Sequence, residues 1–180
     1  MSLAFIFTGT AGAGKTSVLQ QLAQEGHQVV PEAATDVIAY AQAKGIKHPW
    51  EEPSFIDKII CMQKDRQINA IADLQFFDRA PFCTYALGNY LSGTEFAPSI
   101  ALLDEIERCL SSCIYQNKVF FFENLGFIQN TAARQISYQQ ALTFEKIHLD
   151  VYAQFGFDII MVPNSSIQER SRFILKSVNW

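Results

Sequence analysis

The run Gly9-Thr10-Ala11-Gly12-Ala13-Gly14-Lys15-Thr16 follows directly on the apolar stretch Leu3-Ala4-Phe5-Ile6-Phe7 and has Walker A spacing. Each residue type has a chemical reason to be there. The glycines let backbone N–H groups curl around phosphate oxygens, Lys15 reaches the β- and γ-phosphates, and the Thr16 hydroxyl is available to Mg²⁺. The segment that begins at Lys15 carries Val18, Leu19 and Leu22 on one helical face, so the positive end of its dipole points at the same anion. Gly9, Ala11, Gly12, Ala13, Gly14, Lys15, Thr16 and Ser17 are therefore the expected nucleotide-binding residues.

A phosphate loop needs an acidic partner for its metal at the end of a neighbouring strand. Leu74-Gln75-Phe76-Phe77-Asp78 is a mostly apolar strand that ends in a carboxylate, and Asp78 with Thr16 is the expected Mg²⁺ pair. Glu123, which closes Val119-Phe120-Phe121-Phe122, is the second candidate, and the sequence does not rank the two decisively. Asp78 is followed by Arg79 rather than Glu, so the acidic pair with which motor ATPases polarise water is missing. An Asp-Arg pair suits phosphoryl transfer to a bound acceptor, with Arg79 clamping anionic oxygens; a structural ion pair is the rival reading. Glu32, just after Val29-Val30-Pro31, stands where a general base could take a proton from an acceptor hydroxyl, or simply where a helix dipole favours a carboxylate. Arg134, in the polar stretch Asn130-Thr131-Ala132-Ala133-Arg134-Gln135, is either a lid cation that stabilises the transferred phosphoryl or a solvated loop residue. Arg170 and Arg172 read as surface helix charge more readily than as groups flanking a base.

The elements that must position these groups alternate. Apolar runs at Leu3–Thr8, Gln28–Pro31, Leu74–Asp78, Val119–Glu123 and Asp158–Val162 are separated by helical patterns, which predicts an α/β fold with a mainly parallel sheet and ligands at the carboxyl ends of its strands. Gly26, Gly45 and Gly156 stand where left-handed helix ends are expected, and Ser54-x-x-Asp57, Ser137-x-x-Gln140 and Ser166-x-x-Glu169 resemble capping boxes. The crossover from Glu32 to Asp73 is long enough for two helices with a break between Gly45 and Pro53. It is either a cover for an acceptor pocket or a peripheral insertion.

With 180 residues, no repeat and no linker, one domain spanning 1–180 is expected, with a helical insertion at about 32–73 and a lid at about 125–137. Net charge is −4 with Lys and Arg scattered, which speaks against a nucleic-acid partner, and no apolar run is long enough to cross a bilayer, so no membrane partner is expected. The first residues lack a basic signal-type region, and a cytoplasmic location is expected. Cys61, Cys83, Cys109 and Cys113 form no CxxC and stand apart from the three histidines, so no zinc site is expected. Cys109 and Cys113 read as buried thiols one helical turn apart.

These residues together resemble a known group. The phosphate loop, Val29-Val30-Pro31-Glu32-Ala33-Ala34, Phe77-Asp78-Arg79 with Tyr85-Ala86-Leu87, Arg134 before a helix ending near Tyr152, Val162-Pro163 and Glu169-Arg170 resemble the AAA-type ATPase-domain group. That group is related to the kinase domain of bifunctional nicotinamide-nucleotide adenylyltransferase/ribosylnicotinamide kinases and, more distantly, to thymidylate and deoxynucleoside kinases. The resemblance implies a P-loop NTPase fold, three-layer α/β/α, with a five-stranded sheet of nucleoside/nucleotide-kinase type. It also implies ATP with Mg²⁺ and a small nucleoside-like or phosphorylated acceptor. Members often carry Arg three residues after the second-strand Glu, where this chain has Thr35.

Two functions are therefore expected in order: an ATP-dependent phosphotransferase acting on a small acceptor, then a nucleotide-dependent switch that signals to a protein partner. A GTPase is disfavoured because Asn117-Lys118-Val119-Phe120 lacks the Asp that reads guanine.

Overall fold

The computed structural model describes residues 2–10, 12–123 and 137–179. The five strands among these residues are β1 (Leu3–Gly9), β2 (Gln28–Val30), β3 (Leu74–Asp78), β4 (Lys118–Phe122) and β5 (Asp158–Val162), each within a residue of the periodicity-based expectation. They form one all-parallel sheet in the order β2-β3-β1-β4-β5. The α-helices among the described residues are α1 (Lys15–Gln24), α2 (Ala33–Ala43), α3 (Phe55–Ile68), α4 (Pro81–Ser92), α5 (Ile100–Ser111), α6 (Tyr138–Gln154) and α7 (Ile167–Ser177). None of them is long and apolar enough to cross a membrane.

The period-2 alternation of the central strands divides the core into two layers. Phe5 and Phe7 of β1, Phe76 of β3, and Phe120 and Phe122 of β4 pack with Val18, Leu19 and Leu22 of α1 and Ile174 of α7 on one face. Ala4 and Ile6, Phe77 and Val119 pack on the other with Phe82 and Ala86 of α4, Leu102 and Ile106 of α5, and Tyr152 of α6. Rings on the first face meet at centroid distances of 5.3–6.3 Å. The chain leaving β1 thus enters α1 on one face, and the chain leaving β3 enters α4 on the opposite face. Between these diverging exits a crevice opens at the carboxyl ends of the adjacent strands β1 and β3, the place where open α/β sheets take ligands.

The long crossover holds α2 and α3, joined through a short 3-10 turn at Pro49–Glu51, and Ala33 and Val37 pack on Phe55 and Ile59. The capping boxes at Ser137 and Ser166 form as expected. The one at Ser54 does not: Ser54 has φ −87° and ψ 3° rather than the extended backbone an N-cap needs, and Asp57 instead accepts from the Ser99 hydroxyl. The cysteine reading needs a similar correction. Cys109 is buried on α5, but Cys113 lies past its end with φ 47° and is exposed; all four cysteines are free.

Candidate functional site

The phosphate loop leaves β1 through Gly9 at φ 119°, where a Cβ would stand 2.1 Å from the Phe122 carbonyl oxygen of β4. Only glycine lets the loop begin so close to the neighbouring strand. Gly12 and Gly14 have φ 82° and 80°, and Gly14 is the N-cap of α1. The N–H groups of Gly14, Lys15, Thr16 and Ser17 are those at the start of α1 that no intrahelical carbonyl can satisfy, and they form the expected anion-facing set. Lys15 is 6% exposed and its Nζ donates to the Thr10 carbonyl at 3.3 Å, so the side chain folds back along the loop. Ala11 lies outside the described residues.

Across the crevice, Asp78 closes β3 and is buried, its Cα in register with Phe7 of β1. Glu123 follows β4 on the other side of β1 and is exposed. A carboxylate from a strand end and the Thr16 hydroxyl at the start of α1 are hard oxygen donors of the kind Mg²⁺ accepts beside phosphate oxygens, so the residues present fit that ion. No group of three or more His, Cys, Asp or Glu side chains that could hold a metal ion exists among the described residues.

Arg79 is the hub. Its φ of 74° is unusual for a residue with a side chain, and its N–H donates to the Phe7 carbonyl at 3.0 Å. Its Nε donates to Glu32 Oε1 at 2.7 Å, its Nη1 to His148 Nε2 at 3.2 Å, and its Nη2 to the Gly9 carbonyl at 3.1 Å. Burial works against this guanidinium, but the charge of Glu32 and its neighbours outweighs that and raises its pKa, so Arg79 is permanently cationic. Because all three nitrogens hold protein acceptors, Arg79 is built to hold Glu32 against the first residue of the phosphate loop. Glu32 Oε2 accepts from the Thr35 hydroxyl at 2.7 Å, which places Thr35 in direct support of the carboxylate. Arg66 of α3 donates to the Pro31 and Glu32 carbonyls at 3.0 and 2.8 Å and also pairs with Asp36, so the long crossover fixes the backbone that presents Glu32.

Helix α6 supplies residues that no local pattern singled out. Since Arg79 can only donate, His148 Nε2 accepts, and Nδ1 carries the proton that goes to the Phe144 carbonyl at 2.9 Å. Burial and the nearby Arg79 charge push the His148 pKa down to about 3, so the ring is neutral. Phe144 covers it at 4.2 Å between centroids and lies 5.8 Å from the Arg79 guanidinium. One residue on, Glu145 accepts from the Thr10 hydroxyl of the phosphate loop. Tyr152, one turn past His148, contacts Cys83 Sγ at 2.9 Å, and Cys83 in turn contacts Thr8 Oγ1 at 3.3 Å, which locks α6 against α4 and β1. The signal that could have found these residues is a helical one: Phe144, Glu145, His148 and Tyr152 share a face at spacings of three and four.

The structure therefore brings Lys15, Glu32, Asp78 and Arg79 to one crevice and adds Thr10, Thr35, Arg66, Glu145 and His148. Arg134 and the 125–137 stretch, apart from Ser137, lie outside the described residues. The reading of Arg170 as surface charge is corrected: it is 5% exposed and its Nη1 donates to the Ala13 carbonyl of the phosphate loop at 2.9 Å, while Arg172 is exposed.

The fold is similar to that of a deoxyadenosine kinase from M. mycoides with bound dATP, with a TM-score of 0.67 and 13% sequence identity over 99% of this chain and 100% of that one. It is likewise similar to the deoxyadenosine kinase from M. mycoides with its products dCMP and a flexible dCDP bound, with a TM-score of 0.63 and 15% identity over 98% of each chain. No curated protein matches the chain. The family model described as AAA domain matches residues 4–170, nearly the full length, and the chain belongs to that family.

Proposed function

We propose that the chain is a single P-loop unit that transfers a phosphoryl group from ATP to a hydroxyl or phosphate of a small, nucleoside-like acceptor. The observation that carries this reading is the Glu32–Arg79 pair, 2.7 Å apart and tied to the Gly9 carbonyl at the root of the phosphate loop. A hydrolytic switch has no need of a carboxylate braced on both oxygens at the loop's edge. A kinase does, because the acceptor must be oriented and its proton removed. The deoxyadenosine kinases that share the fold support a nucleoside-like acceptor, since one carries dATP and the other dCMP and dCDP.

In this reading Lys15 and the amides at the start of α1 hold the β- and γ-phosphates. Thr16 and Asp78 would hold Mg²⁺, which when bound neutralises charge on the phosphate oxygens. Glu32 receives the acceptor proton, and Arg79, with Thr35 and His148, keeps its carboxylate in place. Arg134 is proposed as a cation for the transferred group.

The test is ADP release from Mg-ATP with a panel of nucleosides, nucleotides and phosphorylated metabolites. Acceptor-dependent turnover is expected in the wild type and absent in Lys15→Ala. Glu32→Gln should lose about 10²–10⁴-fold in kcat while binding ATP normally. Slow hydrolysis that no acceptor stimulates, and that Glu32→Gln leaves unchanged, contradicts the proposal.

A further inference from the structure

Arg170 is the fourth residue of α7, directly behind the Ser166–Glu169 capping box, and only 5% of it is exposed. Its Nη1 donates to the Ala13 carbonyl at 2.9 Å and its Nη2 to Asn164 Oδ1 at 3.0 Å. Its Nε is buried and has no hydrogen-bond partner among the described residues, and no carboxylate among them lies within ion-pair distance. Burial lowers its pKa from the ordinary guanidinium value, and no anion among the described residues offsets that. A cation buried on neutral acceptors is unfavourable, so the packing alone does not account for it.

Peptide planarity indicates what the charge acts on. The Ala13 carbonyl and the Gly14 N–H belong to one trans peptide unit and point in opposite directions. Gly14 is the N-cap of α1, so its N–H has no intrahelical acceptor, and its left-handed backbone (φ 80°, ψ 13°) is one that glycine adopts and leaves at little cost. A cation fixed on the outer, carbonyl side holds the N–H side inward and polarises it as a donor. Gly14 also leaves room for that cation, since a Cβ there would stand 2.9 Å from Arg170 Nη1.

We propose that Arg170 is a positioning residue for the nucleotide phosphates: by gripping the Ala13 carbonyl from behind, it pins the Ala13–Gly14 peptide with its N–H facing the phosphate cup. The inference deepens the nucleotide-binding part of the proposed function and rests on it. Asn164, in the turn between β5 and α7, aims the guanidinium and shares the role.

The experiment pairs calorimetric titration of the full chain with Mg-ATP and the amide spectrum of Gly14. In the wild type, ATP moves the Gly14 amide proton downfield. Arg170→Met should lose that shift and about tenfold in ATP affinity, the worth of one charge-assisted hydrogen bond. Its unliganded melting temperature should stay level or rise, because an uncompensated buried charge has been removed. Asn164→Ala, at an exposed position that leaves the core untouched, should weaken ATP about threefold and shrink the Gly14 shift, and it decides the matter if Arg170→Met does not fold. ATP affinity within about twofold of wild type, or a Gly14 shift of undiminished size, in whichever variant is folded overturns the role of Arg170. A wild-type chain that takes up no ATP overturns the nucleotide-binding reading itself.

Discussion

A histidine with both ring nitrogens in use cannot take a proton without losing a bond. His148 donates through Nδ1 to Phe144 and accepts through Nε2 from Arg79, so protonation would set an N–H against a guanidinium. Burial and then the Arg79 charge hold its pKa near 3, against 6.5 for an unperturbed histidine. Between those values the unfolded chain binds the proton and the folded chain does not, so stability falls as the solution is acidified, by up to about 1.4 kcal/mol per pH unit from this group. Above about pH 6.5 the contribution is complete. In urea unfolding, the advantage of wild type over His148→Gln should narrow steadily from about pH 6.5 to pH 4; parallel curves would mean that His148 titrates normally. The sequence made Lys15, Glu32, Asp78 and Arg79 legible because each ends or follows a strand, where the local pattern fixes its place at the ligand edge. His148 and Glu145 were not legible, because their partners lie 69 and 135 positions away in sequence and only tertiary packing joins them. Arg170 was misread for the related reason that a charge in the first turn of a helix is ordinary until another element covers it.

Strands and caps separate what local pattern dictates from what it does not. The five strands are legible because each is a short apolar run; β1, β3 and β4 are buried on both faces, while the edge strands β2 and β5 are only partly covered and keep the same run. Caps depend on backbone geometry. Ser99, Ser137 and Ser166 have ψ of 157–163° and accept from the third residue of their helices, whereas Ser54 has ψ 3° and does not. Ser99 went unnoticed because Leu102, not Glu or Gln, stands three residues on. Glycines differ in the same way. Gly9 and Gly26 both have positive φ, at 119° and 94°, but a Cβ on Gly9 meets the Phe122 carbonyl of β4 while one on Gly26 meets nothing within 4 Å. Gly26→Ala should therefore cost about 1–2 kcal/mol, the left-handed backbone penalty alone. Gly9→Ala should cost at least about 2 kcal/mol more, because the β1–β4 pairing must shift, and it should weaken ATP binding by disturbing the carbonyl that Arg79 grips. Equal losses in denaturant unfolding would mean that the loop root has slack that the strand register does not suggest.

At the scale of the whole molecule, the chain is acidic overall, yet Lys15, Arg79 and Arg170 converge on the carboxyl edge of the sheet around one loop. The loop is held from both helical layers, by Arg170 of α7 on one face and by Glu145 of α6 on the other. A ligand seated there is therefore coupled to both halves of the core, and its binding free energy should appear as global stability. Saturation at 100 times the dissociation constant adds about 2.7 kcal/mol, which for a domain of this size is a rise in melting temperature of roughly 5–10 °C. Mg-ATP should produce that rise in the wild type and none in Lys15→Ala. Amide exchange should slow in α1, α6 and α7 together, because opening either layer would release the loop. Protection confined to residues 9–17 would mean that the two layers open independently, and that Glu145 and Arg170 touch the loop without bearing on it.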